Sequence, residues 1–214
     1  MVRFVMRSPV IIALVASTCL SVLLAPSHAW RQGDEPGSIQ DSEEYAVYSA
    51  LLSSEYASAK VQQFVITAET SSNTKQAFIG IIGGMMRTGA SWPETDPETT
   101  SDFKAKMEKT SRLERKFNLK TKYILVTSDQ LHKVFVTDAN GKIDGDSWKP
   151  FYQQYPGAPG VIAFTRVGFN AHKDQALVYA VHQSGLLGGS GKFYVLSKCD
   201  ETWEIQKQVL IWLS

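Results

Sequence analysis

The sequence predicts an α+β fold: an antiparallel sheet ending in a four-stranded meander over about 161–213, with helices from the amino-terminal half packed on one face. Three observations carry this reading. Four runs rich in β-branched and aromatic residues follow one another, Val161–Phe169, Gln175–His182, Lys192–Cys199 and Thr202–Trp212, separated by Gly, Asn, Asp and Ser. Their connections are too short for the crossover a parallel pair needs, so each run returns antiparallel to the last. In the first half, Tyr45, Tyr48, Leu52 and Tyr56 fall at spacings of three and four, which places them on one face of a helix.

Taken in order, residues 1–29 read as a signal peptide. Arg3 and Arg7 form a basic start, Pro9–Pro26 is mostly apolar, and Ser27-His28-Ala29 supplies small residues before Trp30. An uncleaved membrane anchor is the other reading of this stretch, which is near the lower end of spanning length. Residues 30–40 carry Gly33, Pro36 and Gly37 and read as a flexible leader, and 41–214 as a single α+β domain. Asp41 and Glu44 form a capping pair, the glutamate reaching back to the cap amide. Val61–Thr70 reads as a strand. Lys75–Arg87 reads as a buried or loosely ordered helix, weakened by Gly80, Gly83 and Gly84.

A helix starting near Asp96 or Ser101 is expected to carry Phe103, Met107, Leu113 and Phe117 on its apolar side, its lysines and arginines forming a solvated face. Tyr123–Val126 is a strand, Ser128 caps a short helix bearing Leu131, Val134 and Phe135, and Trp148–Tyr155 is a short aromatic helix ended by Pro156-Gly157. Strands at 61–69 and 122–127 extend the sheet. In the third meander run Phe193 and Val195 share one face, Tyr194 and Leu196 the other. Both faces are therefore apolar, and the second must be covered by 148–156, a pocket or a partner.

Charge and cysteine usage exclude several classes. The chain has 22 Lys and Arg against 21 Asp and Glu. Without Arg3 and Arg7 the balance becomes about −1, which argues against a nucleic-acid binder. Loss of Cys19 with the signal leaves Cys199 alone, so no internal disulfide forms and the core must hold the fold.

Gly185–Lys192 has the look of a phosphate loop but fails its register. Five residues separate Gly185 from the Gly191-Lys192 pair where a phosphate loop has four, and Phe193 follows the lysine in place of Ser or Thr. It also enters a strand, so it reads as a wide hairpin loop with glycines at positive φ. Asp138–Asp146 lacks the glycine and glutamate of a calcium loop, and a turn on Asn140-Gly141 is the better reading. His132, His172 and His182 have no zinc spacing, and Cys199 has no histidine placed to activate it. No metal and no cofactor is expected. Arg166 shares a strand face with Ile162, Phe164 and Gly168. It either pairs with an acid such as Glu204 or recognises an anion in a cavity, beside Asn170, Tyr179 and Tyr194 as candidate ligand-binding residues.

Phe164–Asn170, Gln175–Tyr179, Gly189–Leu196, Trp203–Ile205, the ending Trp212-Leu213-Ser214 and Tyr45–Leu52 together resemble an uncharacterised group of bacterial exported proteins. The resemblance implies export and a shared fold, with no known activity. Where that group has a glycine before the tryptophan of the last strand, this chain has Glu201-Thr202. The pattern also resembles cystatin-like and nuclear-transport-factor-like cones, in which a helix packs into a curved sheet. The expectation is an exported, periplasmic or extracellular protein without a membrane span after signal cleavage. It is read as a non-enzymatic module that binds a small ligand or an envelope protein, and not nucleic acid. The alternative is a hydrolase-type enzyme using Arg166, His172 or His182 in a polar pocket on the sheet's concave face.

Overall fold

The carboxy-terminal meander forms the greater part of a seven-stranded sheet of order β2-β1-β3-β5-β6-β7, with β4 also paired to β5. The computed structural model describes residues 36–72, 89–135, 148–185 and 188–214, within one unit spanning Pro36–Ser214. The signal peptide, helix and turn expected at 1–29, 75–87 and 138–146 lie outside the described residues. The strands are β1 (Gln63–Thr67), β2 (Lys122–Val126), β3 (Val161–Phe164), β4 (Gly168–Phe169), β5 (Gln175–Gln183), β6 (Gly189–Cys199) and β7 (Thr202–Leu213). The helices are α1 (Ser42–Leu51), continued by a π-helical turn (Leu52–Tyr56), then α2 (Pro97–Lys106), α3 (Ser128–Phe135) and α4 (Trp148–Gln154).

From β3 onward every pairing is antiparallel, as the short connections require. β1 is different. It lies between β2 and β3 and runs parallel to both, through long connections that leave room for α2, α3 and α4. The first meander run is interrupted at 165–167. Thr165 repairs the break: its amide donates to Tyr179 O at 3.0 Å and its hydroxyl accepts from Tyr179 N at 3.0 Å.

Alternation sorts the core. Tyr48, Leu51 and Leu52 of α1 and its π turn pack with Phe64, Ile66, Ile162, Phe164, Val178, Tyr194 and Leu196 on one face, where Tyr48 stacks on Phe164 with ring centroids 4.9 Å apart. Each such fully buried side chain contributes about 1.5–3 kcal/mol. The intervening residues face the other way. Leu177, Tyr179, Phe193 and Val195 lie against Phe103 and Met107 of the α2 region, with Trp92 packed alongside. Val65 and Val161 lie beneath Val134 of α3 and Phe151 of α4, so the 148–156 segment covers part of the second face, as anticipated.

Four local expectations are corrected. Glu44 does not reach the cap amide; Asp41 alone caps α1, accepting from Glu43 N at 3.0 Å, and Glu44 is buried on another partner. The helix expected to reach Phe117 ends at Lys106. Leu113 and Phe117 are buried, but in the core under α1, not with Phe103. The reason is that Arg112 bridges backbone to Ser38 and Glu69, which pulls the chain out of the helix. That contact also fixes the end of the segment read as a leader: Ile39 N donates to Arg112 O at 3.0 Å, and Ile39 is 1% exposed. Finally, the described glycines of the β5–β6 hairpin do not have positive φ. Gly191 is needed for space, because a Cβ there would collide with the Trp212 indole and the Tyr179 hydroxyl.

Candidate functional site

The four residues singled out from sequence do not converge. Val178 pairs with Tyr194 and Tyr179 with Phe193, so the two tyrosines point to opposite faces. The Tyr179 hydroxyl accepts from Trp212 Nε1 at 2.7 Å within the α2-side core. Asn170 closes the β4–β5 turn. Its side-chain Oδ1 accepts from Asp174 N and Gln175 N at 3.1 and 3.2 Å, and its Nδ2 donates to Asp174 and Asp96.

Arg166 pairs with Glu44 and not with Glu204, which is exposed. The break at 165–167 turns Arg166 toward α1, so Nε donates to Glu44 Oε2 at 2.8 Å, Nη2 to Oε1 at 2.5 Å and Nη1 to Ser111 Oγ at 3.1 Å. Val167 N and the Tyr48 hydroxyl also donate to the Glu44 carboxylate. The hydrogen bond to Glu44 raises the Arg166 pKa, and burial raises that of Tyr48 well above the ordinary phenol value. This clamp fastens α1 to the sheet, and every polar atom in it that points inward is occupied.

The π turn builds a second cluster. A π turn carries an extra residue, widening the helix and re-aiming its side chains. Glu55 and Tyr56 reach the strands beside it. Tyr56 and Tyr194 hydroxyls lie 3.3 Å apart, Lys192 pairs with Glu55, and Gln208 Nε2 donates to Glu55 Oε2 at 3.1 Å. Burial pushes Tyr56 up to about 12 and raises Tyr194, so both phenols stay protonated at neutral pH. His182 lies tilted against Tyr56, ring centroids 5.4 Å apart, but its Nε2 lies 3.0 Å from Pro159 O. His172 is exposed in the β4–β5 turn. Among the described residues no group of three or more His, Cys, Asp or Glu is arranged to hold a metal, and no helix is long and apolar enough to cross a membrane.

The other side of the π turn opens differently. A cleft of about 450 Å³ lies between it and the extended segment 118–121, lined by Ser53, Ala57, Phe64, Asn118, Leu119, Lys120 and Thr121. It is more enclosed than two other clefts among the described residues, of about 420 and 530 Å³. Phe64, 1% exposed, supplies an apolar floor from β1, on the α1 side of the sheet. The segment is fixed by Asn118 N, which donates to Ser49 Oγ at 2.9 Å, and by burial of Phe117. The Ser53 hydroxyl, the Asn118 side-chain amide, the Lys120 ammonium and the Thr121 hydroxyl make no bond to another described residue. The 420 Å³ cleft shares Ser53 and Asn118 and continues along α1 to Trp203.

Sequence reasoning missed this cleft. Lys120 lies beyond Phe117, in a segment to which the sequence assigns no element. Nothing in the spacing of Ser53 and Asn118 shows that they meet. No family model, no curated protein and no solved structure matches the chain.

Proposed function

We propose that this protein is a non-enzymatic binding module of the cell envelope, exported by residues 1–29, which takes a small ligand bearing an acid group in the cleft floored by Phe64. One observation supports the reading above the others. The polar groups of Arg166, Asn170, Tyr179 and Tyr194 are spent on the fold, whereas those around this cleft are not. A lone ammonium beside neutral donors, above an apolar floor, suits an anion with a short apolar part. Lys120 supplies the charge, Ser53, Asn118 and Thr121 the hydrogen bonds, and Phe64 and Leu119 the apolar contact.

The test is a thermal-shift and calorimetric screen of small carboxylates and phosphate esters against the wild type and Lys120→Gln. A true ligand at a hundred times its Kd stabilises the fold by about 2.7 kcal/mol. The wild type should shift and Lys120→Gln should bind more weakly. No ligand from either class, or equal binding by both proteins, refutes the assignment. Amino-terminal sequencing of protein from fractionated cells, beginning at Trp30 in the envelope fraction, tests export.

A further inference from the structure

Among the described residues β7 is an edge strand of 12 residues, paired in the sheet with β6 alone. Among the described residues the most exposed large apolar side chains are Leu210, 41%, and Leu213, 74%, and both belong to it. An edge this long presents a row of unpaired amides and carbonyls, ready to pair with another strand. The middle of β7 is guarded. Register shifts against β6 mark bulges near Gln206 and Ile211, and Gln206, Lys207 and Gln208 are exposed polar residues. Such features discourage indiscriminate pairing and favour a partner strand whose pattern fits them.

The strand that fits is β7 itself. The pairing with β6 sets the faces: Trp203, Ile205, Gln208, Leu210 and Leu213 lie opposite Lys198, Leu196, Tyr194, Lys192 and Ser190, and so share the α1 face. Read along the strand, that face runs apolar, apolar, polar, apolar, apolar, a pattern palindromic in order about Gln208, with Trp203 and Leu213 equidistant from it and Leu210 one position nearer than Ile205. We infer that β7 pairs antiparallel with β7 of a second copy about a two-fold axis through Gln208, joining two sheets into one. In this register Leu213 opposes the partner's Trp203, Leu210 falls beside the partner's Ile205 and Gln206, and Lys207 opposes the partner's Val209. Glu204 opposes the partner's Trp212, so no like charges stand directly opposite, and the two Lys207 side chains lie on a diagonal about 7–8 Å apart. A two-fold contact of this kind is self-limiting, since each copy uses its one β7 edge.

The register makes the inference testable in the full chain. In a background of Cys19→Ser and Cys199→Ser, Gln208→Cys places two thiols directly opposite across the axis. Cα atoms so placed are about 4.5–5.5 Å apart, within disulfide reach. Lys207→Cys puts its thiols on a diagonal beyond about 7 Å. Mild oxidation should give a covalent dimer from Gln208→Cys and little from Lys207→Cys. In sedimentation velocity the wild type should dimerise at about 100 μM, a concentration that nearly fills a micromolar complex. Leu210→Glu/Leu213→Glu should weaken that by about tenfold or more, from loss of cross-strand pairs made twice. Its circular dichroism melt should match the wild type, because both positions are exposed. A monomer at that concentration overturns the inference. So does a dimer indifferent to the double substitution, or one whose position-207 thiols crosslink as readily as those at 208.

Discussion

Replacing Arg166 by methionine tests the clamp that fastens α1 to the sheet. The Glu44 carboxylate is fully buried, and among the described residues the guanidinium is its only cationic partner, while Val167 N and the Tyr48 hydroxyl supply neutral bonds. Arg166→Met keeps much of the packed stem and removes the charge, leaving a buried carboxylate without its counterion. Breaking a buried pair from one side costs about 3–5 kcal/mol. In a domain of this size each kcal/mol moves the melting temperature by about 2–4 °C, so the fall should be roughly 6–20 °C. Urea melts followed by far-ultraviolet circular dichroism give the free energy, and an unchanged m-value confirms that the unfolded state is unaltered. The double variant Glu44→Leu/Arg166→Met should lose less than the sum of its parts, because it strands neither charge, with a coupling of about 0.5–3 kcal/mol. If Arg166→Met costs under about 1 kcal/mol and the two changes simply add, the apolar face of α1 holds it alone and the clamp argument fails.

Other outcomes follow from the same geometry. Raised tyrosine pKa values make stability fall in alkali: the unfolded phenols ionise near 10 while Tyr56 holds its proton to about 12, so stability is whole below pH 10 and is lost as pH climbs toward 12. Urea midpoints between pH 9 and 12 should drop steeply in the wild type and more gently in Tyr56→Phe/Tyr194→Phe; parallel curves would contradict the assignment. Gly168→Ala should destabilise by about 1–3 kcal/mol or more, because its methyl would sit 2.5 Å from Phe103 N and 2.6 Å from Phe103 Cα in α2, and neither atom is free to swing aside. A wild-type melting curve for that variant would mean α2 is not laid against β4. Asp41→Ala should cost about 1 kcal/mol through loss of the α1 cap, read as a shift in urea midpoint, with Asp41→Asn recovering most of it.

The meander was legible because each strand pairs with the next one in sequence, so local turn signals carry the topology. Phe193, Val195, Tyr194 and Leu196 alternate without a break, and their assignment to faces follows from parity alone. The position of β1 between β2 and β3 was not legible, since pairing between segments so far apart leaves no local trace. The Phe103–Phe117 stretch misled because its apolar spacing suits a helix while the Arg112 backbone contact, which ends that possibility, has no signature in composition. Arg166 was recognised as a charge among apolar neighbours, but its partner sits on α1, on the far side of the 165–167 break. The cleft was invisible for a related reason: Ser53 and Asn118 are ordinary surface residues until the π turn and Phe117 bring their segments together.

The place of β1 bears on how the chain is made. Its two neighbours are translated much later, the second on the order of a hundred residues after it, or about 5–20 seconds at ordinary elongation rates. Phe64, Val65 and Ile66 have no strand to lie against until then, while β5, β6 and β7 can zip together soon after they emerge. Chain order thus runs against the order of assembly, and β1 is the segment that waits longest for its partner strands.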